Sequence, residues 1–213
     1  MEKETTRIEA FSDGVFAIAI TLLVLDLHVP QFEEVKNTPL LLSRLQQAWP
    51  SYLAFTISFS SIFIMWVNHH KIFKQIYKRN SAVMFSNGLI LFLVTCVSYP
   101  TALLSKFYNT ASVELVVAIY TGMFVLINLS YNLLWFCASR HKELLRPGMT
   151  DSAIRKITRN YLYGLPTYLA AFATSFYNPM AALIICVSLF IFWALSSGKI
   201  NLTDNESLQK AHF

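Results

Sequence analysis

Charge is what this chain has least of. Of its 213 residues, 14% are Asp, Glu, Lys or Arg, against 55% hydrophobic, and the mean hydropathy is +0.47. The apolar residues fall in long blocks instead of short amphipathic stripes, which excludes an ordinary water-soluble fold and points to a polytopic membrane protein. Cysteine is scarce as well. Cys96, Cys137 and Cys186 each sit inside an apolar block without a pairing pattern, so they read as reduced, buried thiols and not as a disulfide framework. A phosphate-cradling glycine loop, a nucleophile elbow and an HExxH helix are all missing. The one acid–histidine pairing on offer, Asp13 with His69 or His70, has no nucleophile beside it, so nothing points to an enzyme. The first apolar block contains Asp13 and lacks a small-residue cleavage site, and is expected to be retained as a span. No internal repeat relates the two halves, which weighs against the inverted-repeat transporter architectures.

Six apolar segments remain, each close to the ~20 residues that cross a bilayer core as helix. They run over about 7–29, 49–73, 81–104, 113–138, 161–177 and 179–195. Pro30 closes the first, and a polar connection from Gln31 to Gln47 follows. Pro50 lies in the first turn of the second, where a missing N–H costs nothing. After the fourth segment comes a long basic connection broken by Pro147-Gly148, in which Thr150 or Asp151 is placed to cap a short interfacial helix. Little more than Asn178 separates the fifth and sixth, a tight helical hairpin.

The cations give the orientation. With both termini on one side, 14 of the 17 Lys and Arg fall on that side, leaving Lys36, Arg44 and Lys106 on the other. Such asymmetry places both ends in the cytoplasm, and it accounts for the net charge of +5 without nucleic acid as a partner. The expected fold is an all-α polytopic membrane protein: a six-helix membrane domain over 1–197 and a polar cytoplasmic tail over 198–213.

Polar residues inside the spans are the informative exceptions, since hydrocarbon demands a partner for each. Arg7 and Asp13 open the first segment. Six residues separate them, about 9 Å of rise and some 240° of rotation, so they do not pair along their own helix. The second segment returns to the same depth carrying Trp66-Val67-Asn68-His69-His70, and the third leaves it with Ser86-Asn87. A hydrogen-bonded cluster of Ser12, Asp13, Asn68, His69, His70 and Asn87 is the expected solution. Adjacent histidines point about 100° apart and no further ligand stands at metal spacing, so no metal site is expected. A pH-sensitive histidine is the functional alternative to plain structural bonding. Farther along the first segment, Phe11, Ile18, Leu22, Leu25 and Val29 recur on one helix face, with Thr21 beside Ile18 and Leu25. That face either touches lipid and neighbouring helices or, if copies surround an axis, makes stacked aliphatic rings of the kind that gate by dewetting.

Arg7-x-x-x-Phe11-Ser12-Asp13, the run Phe11 to Leu25, and Trp66-x-x-His69-His70 together resemble the lysosomal potassium channel family (transmembrane protein 175 family), in its bacterial single-repeat form. The resemblance implies a homotetramer in the cell membrane whose four first helices line a central pore. It implies a potassium channel, weakly selective over sodium, with Na+, Cs+ and H+ as further candidate permeant ions. No Thr-Val-Gly-Tyr-Gly occurs in the chain, consistent with a filter not built from carbonyls. By the resemblance, Ile18 makes the narrowest ring, Leu22 and Leu25 the rings beyond it, and Thr21 a hydroxyl layer. Arg7, Phe11, Ser12, Asp13, Trp66 and a second-helix histidine would form an interhelical network near the cytoplasm. Asp26, at the outer mouth, would either enrich cations or be an interfacial residue without function. No cofactor is implied. A proton channel or proton-coupled carrier using Asp13 and His69 or His70 is the alternative reading.

Overall fold

The computed structural model describes residues 3–27, 29–30 and 37–193, which form helices throughout apart from one isolated antiparallel bridge between Ile76 and Leu145. The expected tail over 198–213, the end of the sixth segment and the stretch 31–36 lie outside the described residues. In chain order the helices are α1 (Thr6–Leu22, continued by a 3-10 turn, Leu23–Asp26), α2 (Thr38–Gln47), α3 (Trp49–Phe73), α4 (Ser81–Cys96), α5 (Ser98–Phe107), α6 (Val113–Ser139), α7 (Asp151–Thr174) and α8 (Pro179–Trp193). Among the described residues, four helical stretches are long and apolar enough to cross a bilayer: Thr6–Asp26, Trp49–Phe73, Ser81–Phe107 and Val113–Ser139.

Several boundaries differ from the sequence reading, each for a local reason. The polar connection before the second segment contains α2, whose start is capped by the Asn37 side chain accepting from Leu40 N at 3.0 Å, with Pro39 in its first turn. The third segment is two helices with a break at Val97. Pro100 has no N–H to give the Cys96 carbonyl, so the ladder lapses there. No separate interfacial helix follows Pro147-Gly148. The Thr150 hydroxyl accepts from Ala153 N, and α7 then runs unbroken to Thr174, through Pro166. The first α-helix stops at Leu22, and Leu27 is already extended, so Val29 is not on the helical face it was expected to share.

α3 and α6 are the spine. Hydroxyl contacts lock them to α5: Ser58 meets Thr101 at 2.7 Å and Tyr120 at 2.9 Å, and Ser51 meets Ser105 at 2.6 Å. Between such points the interior is packed by Ile62, Phe73, Ile90, Phe124 and Leu134, all essentially without exposed surface. α7 lies along α6, where Trp135 Nε1 donates to Thr158 Oγ1 (2.8 Å) and Asn132 Nδ2 donates to the Tyr161 carbonyl (3.3 Å). The second bond supports the turn of α7 just ahead of Pro166, where the helix's own bonding is weakest. α1 packs on α3 and α4 at one side of the bundle.

Of the described glycines, Gly164 has the closest neighbours. A Cβ there would stand 2.7 Å from Asn128 Nδ2 and 3.1 Å from the Trp193 ring. Gly88, on the open side of α4, has nothing within 4 Å of the same position. Gly164→Val is therefore expected to destabilise the detergent-solubilised protein by about 1–3 kcal/mol through overpacking. Gly88→Ala is expected to leave it unchanged or more stable by about 0.5–1 kcal/mol. Paired thermal melts of the two variants check this, and equal melting points would contradict the contact.

Candidate functional site

α1 has a back and a front. Ser12, Phe16, Ala19 and Leu23 recur at spacings of four, three and four, and all four are buried against α3, α4 and α5. Ser12 fixes the rotation. Its hydroxyl donates to the Ile8 carbonyl (2.8 Å) and accepts from Asn87 Nδ2 on α4 (3.1 Å). Asn87 Oδ1 in turn accepts from His69 Nε2 on α3 at 2.7 Å. Because an amide oxygen accepts and does not donate, this ring nitrogen carries the proton. The imidazole lies between Phe16 (5.3 Å, centroid to centroid) and Phe73 (4.6 Å). One helical step from Ser12, Asp13 accepts a 2.8 Å hydrogen bond from Trp66 Nε1. Three helices are thus joined at one end of the bundle by Ser12, Asp13, Trp66, His69 and Asn87.

The remaining residues expected in that network lie outside it. His70 is exposed and sits beside the Trp66 ring at 6.0 Å. Asn68, one step in the other direction, lines a cavity of about 40 Å³ between α3, α6, α7 and α8, with Asn128 and Tyr161. Steps of 100° on α3 separate all three, so turning His69 toward α1 turns Asn68 and His70 away. Phe11 and Arg7 are exposed, and Arg7 makes no hydrogen bond or ion pair with the described residues. The cause is the same: with Ser12 turned inward, its neighbour Phe11 faces out. Phe16 was not singled out by sequence, although its position four residues after Ser12 marks the inner face.

The front of α1 carries Phe11 (68% exposed), Ile18 (58%), Leu22 (48%) and Leu25 (75%), with Thr21 exposed among them. Arg7 and Gly14 fall on the same stripe, and Ala10 and Ala17 flank it. The Thr21 hydroxyl is turned back to the Ile18 carbonyl at 3.0 Å. Of the most apolar stretch of this first span only 22% is buried within the subunit, against 44%, 44% and 56% in the other three long spans. Of these four spans, the one with the highest mean hydropathy is the one the subunit covers least. Asp26 lies at the far end, in the 3-10 turn, half-buried.

A family model described as "Endosomal/lysosomal potassium channel TMEM175" matches residues 7–98, which take in α1 and every residue of the network. A potassium channel from Chamaesiphon minutus is 45% identical over 196 residues, covering 92% of this chain and 96% of its own length. The chain belongs to the TMEM175 family. The crystal structure of a homolog, from that organism, of the lysosomal potassium-selective channel TMEM175 superposes with a TM-score of 0.81 over 91% of this chain and 98% of its own. A potassium channel from Streptomyces collinus is 39% identical over 76% of this chain and 77% of its own length. Human TMEM175, named an endosomal/lysosomal proton channel, is 39% identical over 93 residues, 41% of this chain and 18% of its own. TMEM175 proteins are thus membrane-embedded ion channels, in agreement with the apolar helices, and the family is not one of enzymes.

Asn87 is the residue on which both other polar partners depend. Asn87→Val strands the His69 N–H and one side of Ser12 in an apolar interior, and a loss of about 1–3 kcal/mol is expected. Asn68→Val, one step from His69 on the cavity side, removes no hydrogen bond of the network and is expected to cost less than about 1 kcal/mol. Thermal unfolding in detergent separates the two, and a larger loss in the Asn68 variant would contradict the network.

Proposed function

We propose that this chain is the subunit of a homotetrameric cation channel of the cell membrane, conducting K+ with weak preference over Na+. Its wall is the front of α1, with rings at Ile18, Leu22 and Leu25 and a hydroxyl layer at Thr21. The single observation that carries this reading is that front: an apolar helix face left uncovered in a chain 45% identical, over 92% of its length, to a potassium channel. Small residues Ala10, Gly14 and Ala17 along its flank suit the close approach of a neighbouring helix. The proposal includes six membrane helices with both termini cytoplasmic. α7 beyond Arg159 and α8 would each rise about 22 Å, short of a ~30 Å core, and would cross where the bilayer thins or the helix continues past Trp193.

Aliphatic rings offer no oxygens in place of hydration water, so a permeating ion squeezes or sheds part of its shell. K+ holds water less tightly than Na+ and suffers the smaller penalty, which favours K+ modestly. In this arrangement Ser12, Asp13, Trp66, His69 and Asn87 hold α1 in rotation so that Ile18 faces the axis. Asp26 would raise the local cation concentration at the outer mouth.

Purified protein in liposomes is expected to carry a K+ flux, with a bi-ionic reversal potential favouring K+ over Na+. Absence of flux at every voltage and pH tested would end the proposal. Ile18→Asn is expected to wet the constriction. A barrier lowered by about 1.4 kcal/mol would raise Na+ passage about tenfold, and unchanged selectivity and conductance would remove Ile18 from the wall. A second reading, proton conduction through Asp13 and His69, draws on the proton-channel name of the human relative and on the burial of His69. Under it, proton movement in a pH-gradient assay disappears in His69→Gln while K+ flux is negligible in both proteins.

A further inference from the structure

At the end of the bundle that holds the network, three separate chain segments are clamped backbone to backbone. Between α3 and α4, Tyr77 and Lys78 N–H both donate to the Leu144 carbonyl, at 2.7 and 3.0 Å. Arg146 N–H donates to the Gln75 carbonyl at 2.8 Å, flanking the Ile76–Leu145 bridge. The third segment is the lead into α1: Glu4 N–H donates to the Tyr77 carbonyl at 2.9 Å. Buried Thr5 donates from its hydroxyl to the Ile76 carbonyl (3.2 Å) and to Glu9 (2.7 Å). Ile76, Leu144 and Leu145 are buried beneath, so the clamp rests on the apolar interior.

The clamp has a chemical consequence. It draws the α3–α4 connection, with Lys74, Lys78 and Arg79, against the α6–α7 connection, with Arg146. Lys74, Arg79 and Arg146 are exposed and Lys78 is half-buried, and none of the four has a side-chain ion pair among the described residues. One carboxylate lies within the clamp: Glu4 Oε2 accepts from Arg79 N–H at 3.4 Å, so it offsets part of the positive charge, one anion against four cations. The other nearby acids are engaged elsewhere. Asp151 holds Lys142 at 2.6 Å, Glu9 holds Lys3 at 2.6 Å, and Glu143 faces His141 at 3.7 Å. Four cations from two connections are therefore brought to one end of the bundle, where α3 ends, α4 begins and α6 ends.

We propose that this clamp is a binding site for the phosphate-bearing headgroup of an anionic phospholipid, and that its occupancy is transmitted to α1 through Glu4 and Thr5. Charge complementarity argues for the lipid: juxtamembrane cations gain from an anionic leaflet, and a headgroup delivers its phosphate at that depth already tethered. Transmission follows from the geometry, because Tyr77 is bonded at once to the connection that carries Leu144 and to the lead of α1. The transmission half rests on the channel reading; the site itself does not.

The test compares the full-length protein with Arg79→Gln/Arg146→Gln, which takes one cation from each connection. Arg155→Gln/Lys156→Gln, equally basic but on α7 outside the clamp, is the control. In detergent, short-chain phosphatidylglycerol is expected to raise the melting temperature of the wild type and the control. In the clamp variant its apparent affinity is expected to fall about tenfold or more. In vesicles, K+ flux is expected to be several-fold faster in equimolar phosphatidylcholine–phosphatidylglycerol than in phosphatidylcholine alone, and this gain is expected to vanish in the clamp variant. Equal stabilisation of all three proteins, or of none, overturns the site, as does an equal shift produced by inorganic phosphate at matched ionic strength. Arginine-dependent stabilisation with a flux indifferent to lipid overturns the transmission and leaves the site. Arginine-dependent stabilisation with no flux in any lipid defeats the channel reading alone.

Discussion

The constraint on which the rest depends is that hydrocarbon supplies no hydrogen-bond partners. α1 enters the bilayer with Ser12 and Asp13 in its second turn, and each is satisfied from another helix: Ser12 by Asn87, Asp13 by Trp66. Those two bonds point one way round the helix and leave it one rotational setting. Phe16, Ala19 and Leu23 follow into the interior because they share the Ser12 face. Phe11, Ile18, Leu22 and Leu25 follow outward for the complementary reason. The polar bonds are modest one by one, of order 1 kcal/mol each in a membrane interior. Their weight lies in the alternative, which turns the Asp13 carboxylate toward lipid and leaves Trp66 Nε1 and Asn87 Nδ2 without their partners on α1.

This shifts attention from how tightly α1 is held to which way it faces. Lipid tails are as apolar as leucine, so no hydrophobic force drives the front of α1 to find a protein partner. An uncovered aliphatic stripe is stable against lipid and equally stable against copies of itself. What distinguishes the stripe here is its company: Arg7, Gly14 and Thr21 lie on it or at its edge. Their presence suits a wetted or helix-packed surface better than a purely lipid-facing one.

The sequence made the long spans legible because apolar blocks of this length have one economical use. It also made the front of α1 legible as far as Leu25, through the spacing of its bulky residues. Legibility failed where helix phase had to be read from residues apolar on every side. His69 and His70 are 100° apart on a helix with little amphipathic bias, and only the partner on α4 decides between them. It failed again where backbone bonding changed. At Pro100 the break appears three residues earlier, at Val97, beside the Cys96 carbonyl that the proline leaves unserved. Val29 looked like one more step of the stripe and was not, since the helix had tightened at Leu23 and ended by Leu27. Asn37 and Pro39 carried the start signal for α2. Its leucines bury nothing fully, and the stretch therefore read as a connection.

The two halves of α1 consequently answer to different physics. From Lys3 to Asp13 it is pinned by directed bonds: an ion pair at Glu9, the Thr5 and Glu4 contacts to the α3–α4 connection, and the pair at Ser12 and Asp13. Beyond Asp13 its back is held by apolar packing, with Phe16, Ala19 and Leu23 buried and Val15 and Ile20 partly so, and the described residues leave its front at Ile18, Leu22 and Leu25 about half or more exposed. A change in the pinned half alters the setting of the whole helix, because rotation is decided there. A change at Ile18, Leu22 or Leu25 alters the surface presented without disturbing any bond that sets the rotation. The second half of α1 is therefore free to vary its surface chemistry on a rotational frame that the first half fixes.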